Sequence, residues 1–447
     1  VKAAGNAGYA YSAGMNQMAT ATDTNGNLIL DGQMLVVGNW DANNDQINGS
    51  SNKAGTVCAT MQNGVCIDAA KIKDFFIMAN GTAVTSTATN GGYTTMSGTS
   101  MAAPVVTGAI AVLHQMWPHM KGKHLVQLVL VTGDKNITGY NENVHGQGLL
   151  DMDAATRPVG ATGLPTTGRT NGGVSAVAGG ANVQGVAASE IQALTSVMVL
   201  DSFERDFYID LGDMAQSVDT RTASVAEQMG AVNYFAPYMV EDQQAAVPVT
   251  LSDNSNIEIG FGRSEGHYLG NSFEGTLGTT EDSTTVYANY NYAKGGFYAQ
   301  AGVGFTDVNF DTTNSMLQNA DNVISSTATL GYEFAPIEGH MAGFAISQPV
   351  TIESAKMNYR VPTSRTLDGA VVHEMRTVDF RSADREIDLG AYYNFDVTKT
   401  GIKEVDRITN RLGIQGDVSA FAEIRNNVSA LADEIEKRGG VKLNIRF

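Results

Sequence analysis

The first residues of this chain that could do chemistry are a serine and its small neighbours. In Met96-Ser-Gly-Thr-Ser-Met-Ala-Ala-Pro104, Ser100 opens a long apolar, alanine-rich run of helical length. A hydroxyl at a helix N-terminus, with Gly98 allowing close backbone approach, suits a nucleophile better than a core position. Such a nucleophile needs a base to take its proton, an acid to orient the base, and donors for the oxyanion it creates. Near the start of the chain, Lys2-Ala-Ala-Gly-Asn-Ala-Gly8 sets Asn6 among small residues. Its side-chain amide could serve as one such donor, the plainer reading being a turn asparagine. The base is harder to find. No histidine precedes His114, which follows Ser100 on the same run at about 20 Å, taking 1.5 Å per residue. His119, His124 and His145 come later still and read as surface or partly buried structural histidines.

Gly98 to Pro104, GTSMAAP, matches letter for letter the nucleophile motif of subtilisin-like serine proteases. Other stretches resemble the same family. Lys2 to Gly8 is similar to its AAGN.G oxyanion segment, and Met34 to Gly55 to its strand, loop and SN.AG segment. Phe75 to Thr87 resembles APGT.I.ST, with Asn80 where the family carries proline, and His145 to Ala155 resembles the closing G.GLLD...A segment. The resemblance covers residues 1–156 and implies the C-terminal part of an α/β catalytic domain acting on peptide or protein substrates. It implies Ser100 as nucleophile, Asn6 as oxyanion donor, and Gly98 and Thr99 in the substrate-binding stretch, with no cofactor or metal. In that family the catalytic Asp and His come before the Ser. The expectation is therefore a piece of a longer serine endopeptidase, the rival being a degenerate pseudo-protease. Alone it should be nearly inert, at roughly 10³–10⁴ over water.

Elements that would position these residues can be read from patterning. Met34 to Trp40 is a largely apolar run, as a buried parallel strand requires. Met101 to Trp117 predicts a helix with Pro104 in its first turn, and Gly122 to Gly133 a second helix closed by glycine. Residues 157–189, rich in Gly, Ala, Ser, Thr and Val and nearly uncharged, read as a linker.

From about Glu190 the period changes to two. Ile257, Ile259 and Phe261 alternate with Glu258, Gly260 and Gly262; Val286, Ala288, Tyr290 and Tyr292 alternate with Tyr287, Asn289 and Asn291. Val418 to Ile424 and Val441 to Phe447 repeat the pattern. Alternating segments of about ten residues between turns predict an antiparallel transmembrane β-barrel of about 12 strands over 190–447, its apolar set facing lipid. A soluble β-sandwich alternates in the same way and is the competing fold. This half resembles the translocator domain of autotransporters, Val199 to Leu211 being similar to the segment that opens it and Gly343 to Pro362 to an internal strand pair. The resemblance implies a bacterial outer-membrane location, with the protease part at the cell surface or secreted. A non-catalytic surface or pore protein with a protease-like module is the alternative.

Composition narrows the classes. Acidic residues number 46 against 28 basic, a net charge of −18, which argues against nucleic-acid binding. Cys58 and Cys66, the 2 cysteines present, close a small loop and read as a disulfide formed in an oxidising compartment, worth roughly 2.5 kcal/mol, or as two unpaired buried thiols. The acidic loop Asp41 to Gly49 lacks the bidentate Glu and central Gly of an EF-hand and reads as a polar surface loop. No run of about eighteen apolar residues predicts a transmembrane helix, and no signal peptide is visible in a chain that begins with Val1 rather than Met.

Overall fold

The computed structural model describes residues 1–12, 33–58, 61–62, 65–66, 71–89, 91–165, 174–177, 179–183, 190, 192–217, 243–428 and 434–446. The chain divides into two compact units. The first comprises Val1–Val174, Val199–Phe207 and Ser364–Val372; the second comprises Ser175–Met198, Tyr208–Thr363 and His373–Phe447.

In the first unit a small sheet carries the site. Strand β1 (Lys2–Ala3) runs parallel to β2 (Val36–Asp41), which pairs in parallel with β4 (Phe76–Asn80) and antiparallel with β3 (Gln46–Ile47). Every residue of β2 is buried, as the continuous apolar run predicts for a strand covered on both faces. The two faces sort by parity. Val37, Ile77 and Ala79 pack against Ala102, Val106 and Leu113 of helix α1 (Thr99–Met116). Val36, Phe76 and Met78 pack on the other side with Ala4, Trp40 and Ile72. Helix α1 buries Ala102, Val106, Ala109 and Leu113, spaced to form one stripe along its length. Helix α2 (Gly122–Val131) adds Leu125, Val126, Leu128 and Val129 to the same core.

Two expectations change here. Helix α1 starts at Thr99, so Pro104 falls in its second turn, where the ring removes the N–H that would reach the Ser100 carbonyl. The expected linker also contains structure: Gly163–Pro165, Val174–Ala176 and Gly179–Val183 are strands, with Leu164, Ala181 and Val183 buried. Residues 166–173, 178 and 184–189 of that stretch lie outside the described residues.

Val199–Phe207, expected to open the β-domain, groups instead with the first unit. The reason is packing around a buried guanidinium. Phe203 and Phe207 join the core that holds Trp117. Arg205 lies 4.6 Å over the Trp117 ring, pairs with Asp201 at 2.7 Å, and donates to the carbonyls of Ala155 and Arg157.

The second unit contains a nine-stranded antiparallel sheet. Its strands, in order, are β5 (Gln243–Ser252), β6 (Ser255–Glu265), β7 (Thr279–Lys294), β8 (Phe297–Asp311), β9 (Val323–Phe334), β10 (His340–Ser354), β11 (Ile387–Asp396), β12 (Gln415–Asn426) and β13 (Ile435–Arg446). Nine strands, rather than about twelve, form this sheet among the described residues. Residues 190–447 also hold strands that belong to other sheets, and β7, β8 and β10 have 16, 15 and 15 residues against the ten expected of each. The hairpin of Lys356–Arg365 and Val371–Asp379 belongs to a separate three-stranded sheet.

The polarity of the nine-stranded sheet is inverted relative to a water-soluble core. Along β7, Ser283, Thr285, Asn289 and Asn291 are buried, while Val286 and Tyr290 are exposed. Val303 and Phe305 in β8, Phe344 and Ile346 in β10, Leu389 in β11 and Ile424 in β12 are likewise exposed. The buried side holds the ion pair of Arg425 with Glu386 at 2.7 Å and the Thr285–Thr306 hydroxyl contact at 2.9 Å. Glycines face rings directly across the strands: Gly260 pairs with Tyr287, Gly331 with Tyr298, Gly343 with Tyr392 and Gly440 with Phe421. A Cβ at Gly331 would lie 2.2 Å from the Tyr298 ring, so the ring occupies the space that glycine leaves.

Candidate active site

The site is built where α1 begins. Gly98 precedes it with φ +150°, a conformation that side-chain-bearing residues rarely adopt, and donates its N–H to the Gly81 carbonyl at 2.9 Å. A Cβ on Gly81 would lie 2.7 Å from the Gly98 carbonyl oxygen, so the two glycines permit this approach. Thr99 follows and is buried; Ser100 is the second helical residue and is exposed to solvent.

Asn6 comes to the same place from the loop that follows β1. Its Oδ1 accepts from the Thr99 N–H at 2.9 Å and from the Thr99 hydroxyl at 3.0 Å. Because an N–H can only donate, this contact places the oxygen of the amide on Thr99 and leaves Nδ2 to face elsewhere. The Thr99 Oγ1 in turn accepts from the Gly5 N–H at 3.2 Å. Among the described residues, no protein acceptor takes either the Ser100 N–H or Asn6 Nδ2. Two donors are thus presented beside a solvent-accessible hydroxyl, at the positive end of an 18-residue helix.

The structure therefore brings Ser100, Asn6 and Gly98 together. Thr99, its hydroxyl buried and engaged on Asn6 and Gly5, holds the asparagine loop.

The histidines stay apart from the helix start. His114 sits exposed in the last turn of α1. His119 is half-buried, with Nε2 3.1 Å from the Glu204 carbonyl and 3.1 Å from the Arg365 guanidinium; burial, then Arg365, lowers its pKa. His145 is buried, accepts the Asn141 N–H on Nδ1 at 2.9 Å and packs on Trp40 and Tyr140; burial lowers its pKa too. The carboxylate of Asp41 is taken by its own turn, accepting from the Asn43 N–H and the Asn44 amide. Cys58 is disulfide-bonded, and Cys66 is the chain's other cysteine.

Sequence reasoning did not single out Asn39 and Asn52, which lie beneath this site. Asn52 was legible only as one letter of a family-like segment. Asn39 had no signal of its own; buried in β2, it accepts the Thr82 hydroxyl on Oδ1 at 3.1 Å.

Residues 1–149 match the subtilase family. Fervidolysin of Fervidobacterium pennivorans is 45% identical over 83 residues, covering 18% of this chain and 11% of that protein. The chain thus spans about a tenth of the length of the curated relative it matches. Among solved structures, the self-cleaved protease domain of PatA is 21% identical, with 34% of this chain and 46% of that chain covered and a TM-score of 0.23. A cold-adapted subtilisin-like serine proteinase is 24% identical, with 33% and 42% covered and a TM-score of 0.22. The N-terminal third of this chain, with its helix-start serine and facing asparagine, is a subtilase-family domain.

Proposed function

We propose that this chain is part of a serine endopeptidase displayed at, or secreted through, a bacterial outer membrane by its own C-terminal β-barrel. The observation that carries the catalytic half is that Asn6 is held on the Thr99 amide, next to the exposed Ser100 at the N-terminus of α1. Ser100 Oγ attacks the carbonyl carbon of a peptide bond while a base takes its proton. The carbonyl oxygen becomes an oxyanion that accepts hydrogen bonds from Asn6 Nδ2 and the Ser100 N–H. Collapse expels the amine, which receives the proton, and water then hydrolyses the acyl-enzyme. No residue of this sequence is assigned as the base or its orienting acid.

The membrane half rests on the inverted polarity of the nine-stranded sheet. Exposed Val, Leu, Ile and Phe on one face and buried Asn, Thr, Arg and Glu on the other suit lipid outside and a polar lumen inside. A β-sandwich in water would bury the opposite set.

The test uses cells producing the full-length protein, exposed to fluorescent casein and to a membrane-impermeant fluorophosphonate. Labelling and hydrolysis at the surface or in the medium are expected, with Ser100→Ala abolishing the labelling and reducing hydrolysis by about 10⁶-fold. A Ser100→Ala protein that cleaves casein as fast as the parent sinks the proposal.

A further inference from the structure

Asn52 is buried beneath the loop that carries Asn6, and all of its polar side-chain atoms are used there. Its Oδ1 accepts from the backbone N–H of Ala7 at 3.1 Å and of Tyr9 at 3.0 Å. Its Nδ2 donates to the Ala4 carbonyl at 3.0 Å, and its own backbone N–H donates to the Gly5 carbonyl at 2.8 Å. These contacts flank Asn6 on both sides in the chain. The fit depends on Gly5, which has φ +104° and whose Cβ would lie 2.6 Å from Asn52 Nδ2.

The support is tied to the sheet. Ser51 Oγ donates to the Asn52 carbonyl at 3.0 Å and accepts from the backbone N–H of Asn39 in β2 at 3.0 Å. A rigid strand therefore holds Ser51 and Asn52, and Asn52 holds the loop.

We infer that Asn52 is the positioning residue for the oxyanion donor, fixing the backbone around Asn6 so that its amide reaches the reacting carbonyl. The inference rests on the reading of Asn6 proposed above. Simultaneous acceptance and donation explain the residue type. Aspartate keeps the acceptors but sets an oxygen against the Ala4 carbonyl, and alanine keeps neither function. A displacement of about 1 Å in a catalytic group costs up to about 10²-fold in rate.

The test is steady-state hydrolysis of fluorescent casein by the full-length protein, with Ser100 sites counted by fluorophosphonate titration. The variants are Asn6→Ala, Asn52→Asp, Asn52→Ala and the Asn6→Ala/Asn52→Asp pair. Asn6→Ala is expected to lower kcat by about 10²–10³-fold. Asn52→Asp should lower kcat per titrated site by about 10–10²-fold with KM little changed, and should add almost nothing in the Asn6→Ala background. Asn52→Ala should cost at least as much, while the near-isosteric aspartate keeps the test open if alanine fails to fold. Equal factors for Asn52→Asp in both backgrounds overturn the inference. So does a loss confined to the number of titratable sites, which marks a structural residue only. An Asn6→Ala protein with unaltered kcat removes the oxyanion reading itself, a result distinct from either of these.

Discussion

In the first unit the side chains removed from water include Leu35, Val37, Ile77, Val106, Leu113 and Leu128. In the nine-stranded sheet they include Thr285, Asn289, Thr306, Asp388 and Arg425, while Val286, Val303 and Phe344 stay outside. The first unit follows the rule that apolar surface leaves water, whereas the nine-stranded sheet buries polar side chains, the Asn289 amide among them with no hydrogen-bond partner among the described residues. What differs is which set of side chains each buries. The first unit encloses its apolar residues between sheet and helices. The sheet of the second turns its apolar residues outward, which is favourable where the surroundings are themselves apolar. The lesson is that strand alternation alone does not say which face is the core; the burial of Asn289 and the exposure of Phe344 do.

The first unit makes one large exception, and it offers the sharpest test. Arg205 and Asp201 are both fully buried and paired. Replacing Asp201 with Ala strands a buried guanidinium and is expected to destabilise the first unit by about 3–5 kcal/mol. Both tryptophans, Trp40 and Trp117, lie in this unit, so urea unfolding followed by tryptophan fluorescence reads it directly. A change below about 1 kcal/mol breaks the claim that this pair organises the Val199–Phe207 segment.

A paired substitution addresses the second unit. Val303 faces outward from the middle of β8 with 50% of its surface exposed, and Gln300 on the other face is 6% exposed. In lipid vesicles Val303→Arg should cost about 2–4 kcal/mol, whereas Gln300→Lys should cost less than about 1 kcal/mol. Urea titration of the protein refolded into those vesicles gives both numbers. If Val303→Arg is neutral and Gln300→Lys is the damaging change, the sheet is water-facing and the comparison collapses.

The smallest effect concerns pH. Burial holds His145, and burial with Arg365 holds His119, below the ordinary value of 6.5. The unfolded chain therefore binds protons around and just below pH 6.5 that the folded unit refuses. Stability conferred by these neutral histidines is present above that pH and declines as pH falls through the window. The slope is at most about 1.4 kcal/mol per pH unit for each histidine. Urea midpoints at pH 7.5 and 5.5 should differ less in His145→Phe than in the parent; an unchanged difference removes His145 from the account.

Much of the site was legible because its parts are short and local. Gly98 to Pro104 and Lys2 to Gly8 name a candidate nucleophile and a candidate donor, which the fold brings together, and the apolar run at Met34 to Trp40 announces a strand buried on both faces. The Ile257, Val286 and Ile424 alternations also name their faces correctly as sets, since period two follows from the pleat. What escaped is what depends on partners far along the chain. Thr99 turns its hydroxyl onto Asn6, 93 residues away, and Arg205 reaches Ala155, 50 residues back. Neither contact leaves a periodic trace.

The sequence by itself determined the chemistry on offer: a serine at a helix start, an asparagine set among small residues, and strands whose side chains alternate. Local spacing suffices for these, because helix, strand and turn follow from neighbouring residues. Only the tertiary structure decided that Asn6 faces the Thr99 amide and that Asn52 lies under its loop. It also decided that Val199–Phe207 folds with the first unit and that the polar face of the sheet is the buried one. Those outcomes depend on which surfaces meet, and a chain specifies that only once its distant segments have packed.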